Sequence, residues 1–304
     1  MEERPANHRQ AVGFICHVGR KVTLAIVLCL VVIGGCNRSS TFWGQLGLRA
    51  SDYFEGDADL ALCKAIENSD LHAIDQAIAN GADVNAIGKD GVTPLMWAFP
   101  DSSAEVFEKL LKLGADPNVL YTGESLQTRK LAFGQGKAVT HQVTIYGGKK
   151  FYLVFEHGGD GNLPAGPNKM GISGRPPIAM LTGVHSGESS EETIKRLQVL
   201  IDHGADMNPA RYSDGFLPVE GQCYGHNFAV SLAMLKAGAD PHRRNPLTDR
   251  DYFDVLNFAS TGSNGKWINA EQAKELKVLL AWLHEQYPEE SKRLKVDGSA
   301  AVFK

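Results

Sequence analysis

The chain is poor in cysteine, in excess charge and in long apolar runs. Five cysteines in 304 residues are too few for a disulfide scaffold. The net charge is −4 and no basic block occurs, so a nucleic-acid backbone has no electrostatic footprint to hold. Only one apolar run approaches membrane length, which excludes a multi-span architecture. Familiar catalytic phrases are missing as well: there is no G-x-S-x-G, no H-E-x-x-H and no G-x-x-x-x-G-K-[ST]. His157-Gly158-Gly159 has the form of an oxyanion loop but lacks a nucleophile elbow, and reads as a loop. The ten histidines are scattered without metal-ligand spacing. The expectation is a non-enzyme with no metal, cofactor or small-molecule substrate. What remains is ordinary globular composition, 43% hydrophobic and 22% charged, at a length that suggests about two domains of roughly 150 residues.

The apolar run lies near the start. Arg20 and Lys21 precede fourteen uncharged residues, 22–35, which end Ile33-Gly34-Gly35 before Cys36. A helix of that length is about 21 Å long, against a hydrocarbon core of about 30 Å. The run therefore reads as the apolar part of a signal peptide after a basic segment. A plain signal peptide and a short anchor helix are the other readings. Ile33-Gly34-Gly35-Cys36 resembles a bacterial lipobox, which implies cleavage before Cys36 and lipidation of its thiol. Two or more acyl chains hold a protein to a bilayer without a spanning helix. Asn37, where aspartate would imply inner-membrane retention, favours the outer membrane. The expected division is a signal peptide at 1–35, a lipidated tether at 36–55, a folded domain at 56–288 and a tail at 289–304. Within the tether, Phe42, Trp43, Tyr53 and Phe54 are available to pack on the domain.

One phrase recurs through that domain: Gly81-Ala82-Asp83-Val84-Asn85, Gly114-Ala115-Asp116-Pro117-Asn118, Gly204-Ala205-Asp206-Met207-Asn208 and Gly238-Ala239-Asp240-Pro241-His242. The glycines are 33, 90 and 34 positions apart. Each copy follows a stretch with apolar residues three and four apart, such as Val106, Phe107, Leu110 and Leu111. After the first copy comes Gly91-Val92-Thr93-Pro94-Leu95-Met96-Trp97-Ala98. Thr93 can cap a helix that starts at Pro94, and the phrase glycine can end the second helix in a left-handed conformation. These phrases resemble those of the ankyrin repeat. The resemblance implies a mainly α solenoid of about five helix-turn-helix repeats. They fall at 57–85, 86–118, a third restarting at Arg175, a fourth around Gly215 and a fifth, degenerate, ending in a long helix over 270–287.

The 90-residue spacing reads as one repeat plus an insertion over 119–172, since no further Gly-Ala-Asp lies within it. Two β-rich runs, 141–146 and 151–156, flank Gly147-Gly148 and predict a β-hairpin. In the family pattern an insertion there lies at the edge of the concave face. Met96 and Trp97 fall at variable positions of that face. With Tyr146, Phe151, Tyr152 and Phe155 of the hairpin they are candidate partner-binding residues, since aromatics and methionine are enriched in interfaces. Packing in the core is the competing reading for each. Cys63 and Cys223 lie three repeats apart, roughly 25–30 Å at 8–10 Å per helix layer, and read as free buried thiols.

Ankyrin arrays act by binding proteins. A lipid-anchored array is similar to the immunity lipoproteins that neutralise type VI secreted toxins, which implies a phospholipase-type toxin as the partner. The expected place is the periplasm, at the inner leaflet of the outer membrane. A scaffold that holds an endogenous periplasmic enzyme and a host-directed or trafficking role are the alternatives.

Overall fold

The computed structural model describes residues 42–45, 47–100, 102–123, 135–167, 174–181, 188–209, 217–260 and 268–296. Two compact units divide the chain, Met1–Leu48 and Arg49–Lys304. In the first, the described part is a helical turn, Phe42–Gln45, followed by a turn in which Leu48 N–H donates to the Trp43 carbonyl at 2.9 Å. The expected signal peptide and Cys36 lie outside the described residues, as does most of the expected tail.

Among the described residues, the second unit is built from six helix pairs. They are α1 (Asp57–Glu67) with α2 (Leu71–Ala79), α3 (Pro94–Ala98) with α4 (Ala104–Lys112), and α5 (Val139–Tyr146) with α6 (Lys149–Glu156). Then come α7 (Pro177–Met180) with α8 (Ser190–Asp202), α9 (Pro218–Tyr224) with α10 (Phe228–Lys236), and α11 (Tyr252–Ser260) with α12 (Ala270–Gln286). A last turn, α13, spans Pro288–Ser291. First helices pack on first helices, as α1 on α3 and α5 on α7, α7 on α9, α9 on α11. Second helices form the other layer, from α4 on α6 through to α10 on α12. The core lies between the layers. Leu62, Ile74, Leu95, Phe107, Leu110, Phe151, Leu200, Phe228 and Leu276 are fully buried there. Each such side chain contributes about 1.5–3 kcal/mol on transfer from water.

Two expectations need correction. The described residues contain no β-strand, and 141–156 is not a hairpin. Those residues form α5 and α6, joined by Gly147 and Gly148, both at positive φ. Val139-Val143 and Phe151-Val154-Phe155 are spaced by three and four, as a helix needs. The β-branched residues that suggested strands are buried on nearly every side of α5, so packing overrides their weak helical preference. The 90-residue spacing therefore holds two repeats, not one repeat and an insertion.

The loop side shows why. Asn85 donates from Nδ2 to the Gly114 carbonyl at 2.8 Å and accepts at Oδ1 from Asp116 N–H at 2.7 Å. Asn118 does the same to Gly158 and Asp160, Asn162 to Gly204 and Asp206, and Asn208 to Gly238 and Asp240. This ladder runs unbroken through Gly158-Gly159-Asp160-Gly161-Asn162. That segment is the missing copy of the recurrent phrase, with glycine in place of alanine. Gly81, Gly114, Gly158, Gly204 and Gly238 all take φ between +78° and +99°. A side chain there would cost about 1–2 kcal/mol.

Helix starts also vary around one design. Thr93 Oγ1 accepts from Met96 N–H at 3.2 Å. Where threonine is absent, the residue three along reaches back to the cap N–H instead. His141 Nδ1 accepts from Ala138 N–H, and Glu220 Oε2 from Leu217 N–H, each at 3.0 Å. Asp251 and Asp254 do both, reciprocally, at 3.1 and 3.3 Å.

Candidate functional site

The row of first helices is not filled evenly. α7 is only four residues long, because Pro176 and Pro177 start it and Leu181 leaves it in an extended conformation. The neighbouring α9 turns Gly221 toward the same space, and a Cβ placed on Gly221 would meet nothing within 4 Å. A short helix beside glycines leaves a groove of about 390 Å³ across α5, α7 and α9. Ile145, Ala179, Met180 and Leu181 supply its apolar lining. Buried Gln222 fixes the floor by donating to the Leu181 carbonyl at 2.5 Å and accepting from Asn227 at 3.0 Å.

Among the described residues, Lys137 and Arg175 line the groove and no acidic side chain does. Each stands immediately before the cap residue of its helix, Ala138 for α5 and Pro176 for α7. They therefore occupy the same position in successive repeats. Burial lowers the pKa of Lys137 below the usual lysine range. His141, fully buried on α5, is pushed down to about 4, first by burial and further by the Lys137 charge, with a backbone bond to Leu163 opposing. At neutral pH it is an uncharged cap.

Most of the aromatic candidates lie elsewhere. Trp97 is 1% exposed and Met96 is buried beside it. The Trp97 indole donates to Glu67 Oε1 at 3.0 Å, and its ring centroid lies 5.7 Å from that of Tyr53 and 6.3 Å from that of Phe54. Phe151 and Phe155 are buried in α6, with centroids 4.8 Å apart. Tyr152 is half-buried and donates to Glu192 Oε1 at 2.6 Å; burial, and then this bond, raise its pKa to about 12. Tyr146, 42% exposed at the end of α5, is the one candidate that presents a large surface. The expectation of an exposed aromatic face came from the hairpin. In a helix pair, Phe151 and Phe155 point into the layer between helices.

Sequence reasoning missed Lys137, Arg175, Gly221 and Gln222. The available signal was Gly221 within α9 and Gly225 at its end, with Gln222 four residues after Pro218 where Ala98 stands four residues after Pro94. A second hollow of about 290 Å³ lies on the second-helix layer, over Ala229 and Ala233 and between Ile194 and Val278. Its rim carries lysines and glutamates together. Among the described residues no group of three histidine, cysteine or acidic side chains could hold a metal ion. No described helix is long and apolar enough to cross a membrane. Cys63 and Cys223 are free and buried, and burial raises both thiol pKa values.

The sequence profile described as Ankyrin repeats (3 copies) matches residues 26–120. Over that stretch the chain is similar to ankyrin repeats. Residues aligned over 81 positions, 27% of this chain, are 38% identical to the potassium channel AKT1 of rice, in both the indica and japonica subspecies. The match covers 9% of those channels' length. A solved ankyrin repeat domain from Acinetobacter baumannii AYE is 16% identical with a TM-score of 0.49, covering 72% of this chain and 96% of that one. Ankyrin repeats are typically protein-interaction scaffolds rather than catalysts, so a protein partner is the expected ligand class.

Proposed function

We propose that this chain is a membrane-anchored periplasmic lipoprotein that binds and neutralises a protein partner through its first-helix groove. The groove across α5, α7 and α9 carries the binding half of this reading. It is open, is lined by Ile145, Met180 and Leu181 beside Gly221 and Gly225, and its Ile145 directly precedes the exposed Tyr146 in α5. The anchoring half rests on the apolar run at 22–35 and on Cys36 in its lipobox-like setting. A lipid-tethered ankyrin array is similar to immunity lipoproteins, and the partner that fits best is a type VI secreted, lipase-type toxin. Neutralisation would proceed by occlusion. The array covers the toxin's active-site cleft, and the anchor concentrates it on the membrane under attack.

Gly221→Trp offers a clean test. The indole fills the groove, the Cβ meets no neighbour, and glycine is the least favourable ordinary residue within a helix, so its replacement costs no helix propensity. Cells without this gene should die beside a toxin-delivering sibling. The parent gene should restore them and Gly221→Trp should not. Cys36→Ala should lose palmitate labelling and leave the membrane fraction. Unimpaired survival of the deletion strain overturns the immunity role, and full rescue by Gly221→Trp overturns the groove as its site.

A further inference from the structure

We propose that the groove accepts an extended acidic segment of the partner, with two carboxylates set against Lys137 and Arg175. This rests on the reading of the groove as the partner-binding face, and adds the chemistry of what enters it.

The two cations recur at one structural position, one repeat apart. Packed helices stand about 8–10 Å apart, so the repeat sets the spacing of the charges to a similar distance. An extended chain of the polyproline II type rises about 3.1 Å per residue with three residues per turn. Carboxylates three residues apart on such a chain lie on one face about 9 Å apart and match that interval. The corresponding positions in other repeats do not continue the pattern inside the groove. Val92 precedes Thr93 and is apolar, and Arg250 precedes Asp251 but lies 5.1 Å from the Phe258 ring centroid. The pair is thus local to α5 and α7, where the groove is.

Charge complementarity fixes the sign. The chain as a whole is acidic, at −4, and would repel an acidic protein at long range. The phrase aspartates, Asp83, Asp116, Asp160, Asp206 and Asp240, lie on the ladder and each accepts a backbone N–H two residues on. The groove reverses this sign. Lys137 makes no ion pair among the described residues, and burial works against its charge, so an incoming carboxylate would relieve a strained ammonium. The lining formed by Ile145, Ala179 and Met180 suits apolar side chains between the two acids. The amide of Asn227 in the lining can hydrogen-bond the backbone of an extended segment, which a helix would keep to itself.

The probe is a fluorescein-labelled peptide, Ala-Leu-Glu-Val-Ala-Glu-Leu, with a counterpart in which both glutamates are glutamine. Polarisation is followed with the full chain in detergent. The glutamate peptide should bind saturably, and at least tenfold more tightly than the glutamine peptide. Lys137→Met should weaken it about tenfold, and salt should weaken it further. Lys137→Glu should reject it and prefer a peptide with lysine at the first acidic position, an exchange that a misfolded variant could not produce. Equal binding of both peptides, no saturable binding, or no effect of Lys137→Met would each overturn the proposal. Gly221→Trp separates the two readings. If it abolishes toxin neutralisation while Lys137→Met and Arg175→Met do not, the groove stands and its acidic occupant falls. If it leaves neutralisation intact, the groove itself falls.

Discussion

The pairs α3–α4 and α5–α6 are adjacent and equivalent in the stack, yet only the first is visible in the sequence. α3 begins with Thr93-Pro94 and α4 ends at Gly114-Ala115-Asp116, each residue doing what its type favours. α5 begins with Ala138-Val139 and α6 ends at Gly158-Gly159-Asp160. The same hydrogen bonds form in both, but with different atoms. The cap passes from a threonine hydroxyl to a histidine ring, and the ladder from an alanine-bearing turn to a glycine-bearing one. What is constant in the repeat is the set of bonds to be satisfied, and the residue that satisfies each one is exchangeable.

The sharpest way to break the comparison is at the far ends of α3 and α5. Both are held by a cation from the following repeat. Lys150 Nζ donates to the Phe99 carbonyl at 2.6 Å, just beyond α3. Arg196, fully buried on α8, donates to the Thr144 carbonyl in α5 at 2.9 Å. It also pairs with Glu188 at 2.5 Å and lies 5.3 Å from the Phe151 ring centroid. Arg196→Met removes the charge and strands a mostly buried carboxylate. Urea unfolding should show a loss of about 3–5 kcal/mol. Lys150→Met, at a partly exposed site, should lose about 1 kcal/mol. Equal losses would mean that the buried pair contributes nothing special to α5.

The two caps differ in a second way, because only one titrates. Thr93 is indifferent to pH. The folded His141 titrates near pH 4 and an unfolded histidine near 6.5, so between those values only the unfolded chain takes up the proton. Stability is therefore full above about pH 6.5 and declines as the pH falls toward 4, by up to about 3 kcal/mol at about 1.4 kcal/mol per pH unit. His141→Gln should flatten that part of the pH profile of urea unfolding, whereas Thr93→Ser should leave it unchanged. A profile identical in parent and His141→Gln would remove His141 from the account of acid sensitivity.

The fold was legible wherever a residue performs a role through its own side chain or its backbone freedom. Thr93, Pro94 and the glycines at 81, 114, 204 and 238 announced helix starts and stops, and Tyr53 and Phe54 did pack, on Trp97. It was illegible where a neighbour chose the residue. β-branched Val139, Thr140, Val143 and Thr144 look like a strand because the reason for them is burial on both sides of α5. Thr140, for example, donates its N–H to the Pro117 carbonyl at 3.1 Å and its hydroxyl to Asn118 Oδ1 at 2.8 Å, tying α5 to the ladder. The groove was hidden for the same reason. It exists because α7 is short and α9 carries glycine, and neither fact has meaning until the two helices are side by side. The aromatic residues drew attention by type, and most of them belong to the core.

Gly159 offers the finest test of that contrast, because it is the residue that disguised the third repeat. The recurrent phrase has alanine here, as Ala82, Ala115, Ala205 and Ala239 in four other repeats. A Cβ on Gly159 would lie 2.6 Å from Val154 Cγ1 and 3.0 Å from the Val154 carbonyl oxygen. Val154 is itself fully buried in α6 and cannot swing away. Gly159→Ala should therefore destabilise the domain by about 1–3 kcal/mol through overpacking, although it restores the common phrase. Val154→Ala alone should also destabilise, by leaving a cavity. Combined, the two changes should cost less than the sum of the single losses, because the alanine methyl then enters space the valine has vacated. A double-mutant cycle by urea denaturation reads this directly. Strict additivity would mean that Val154 does not dictate Gly159, and that the departure from the phrase has another cause. A favourable coupling would show that the sequence signal was lost to one packing contact, while the repeat itself was kept.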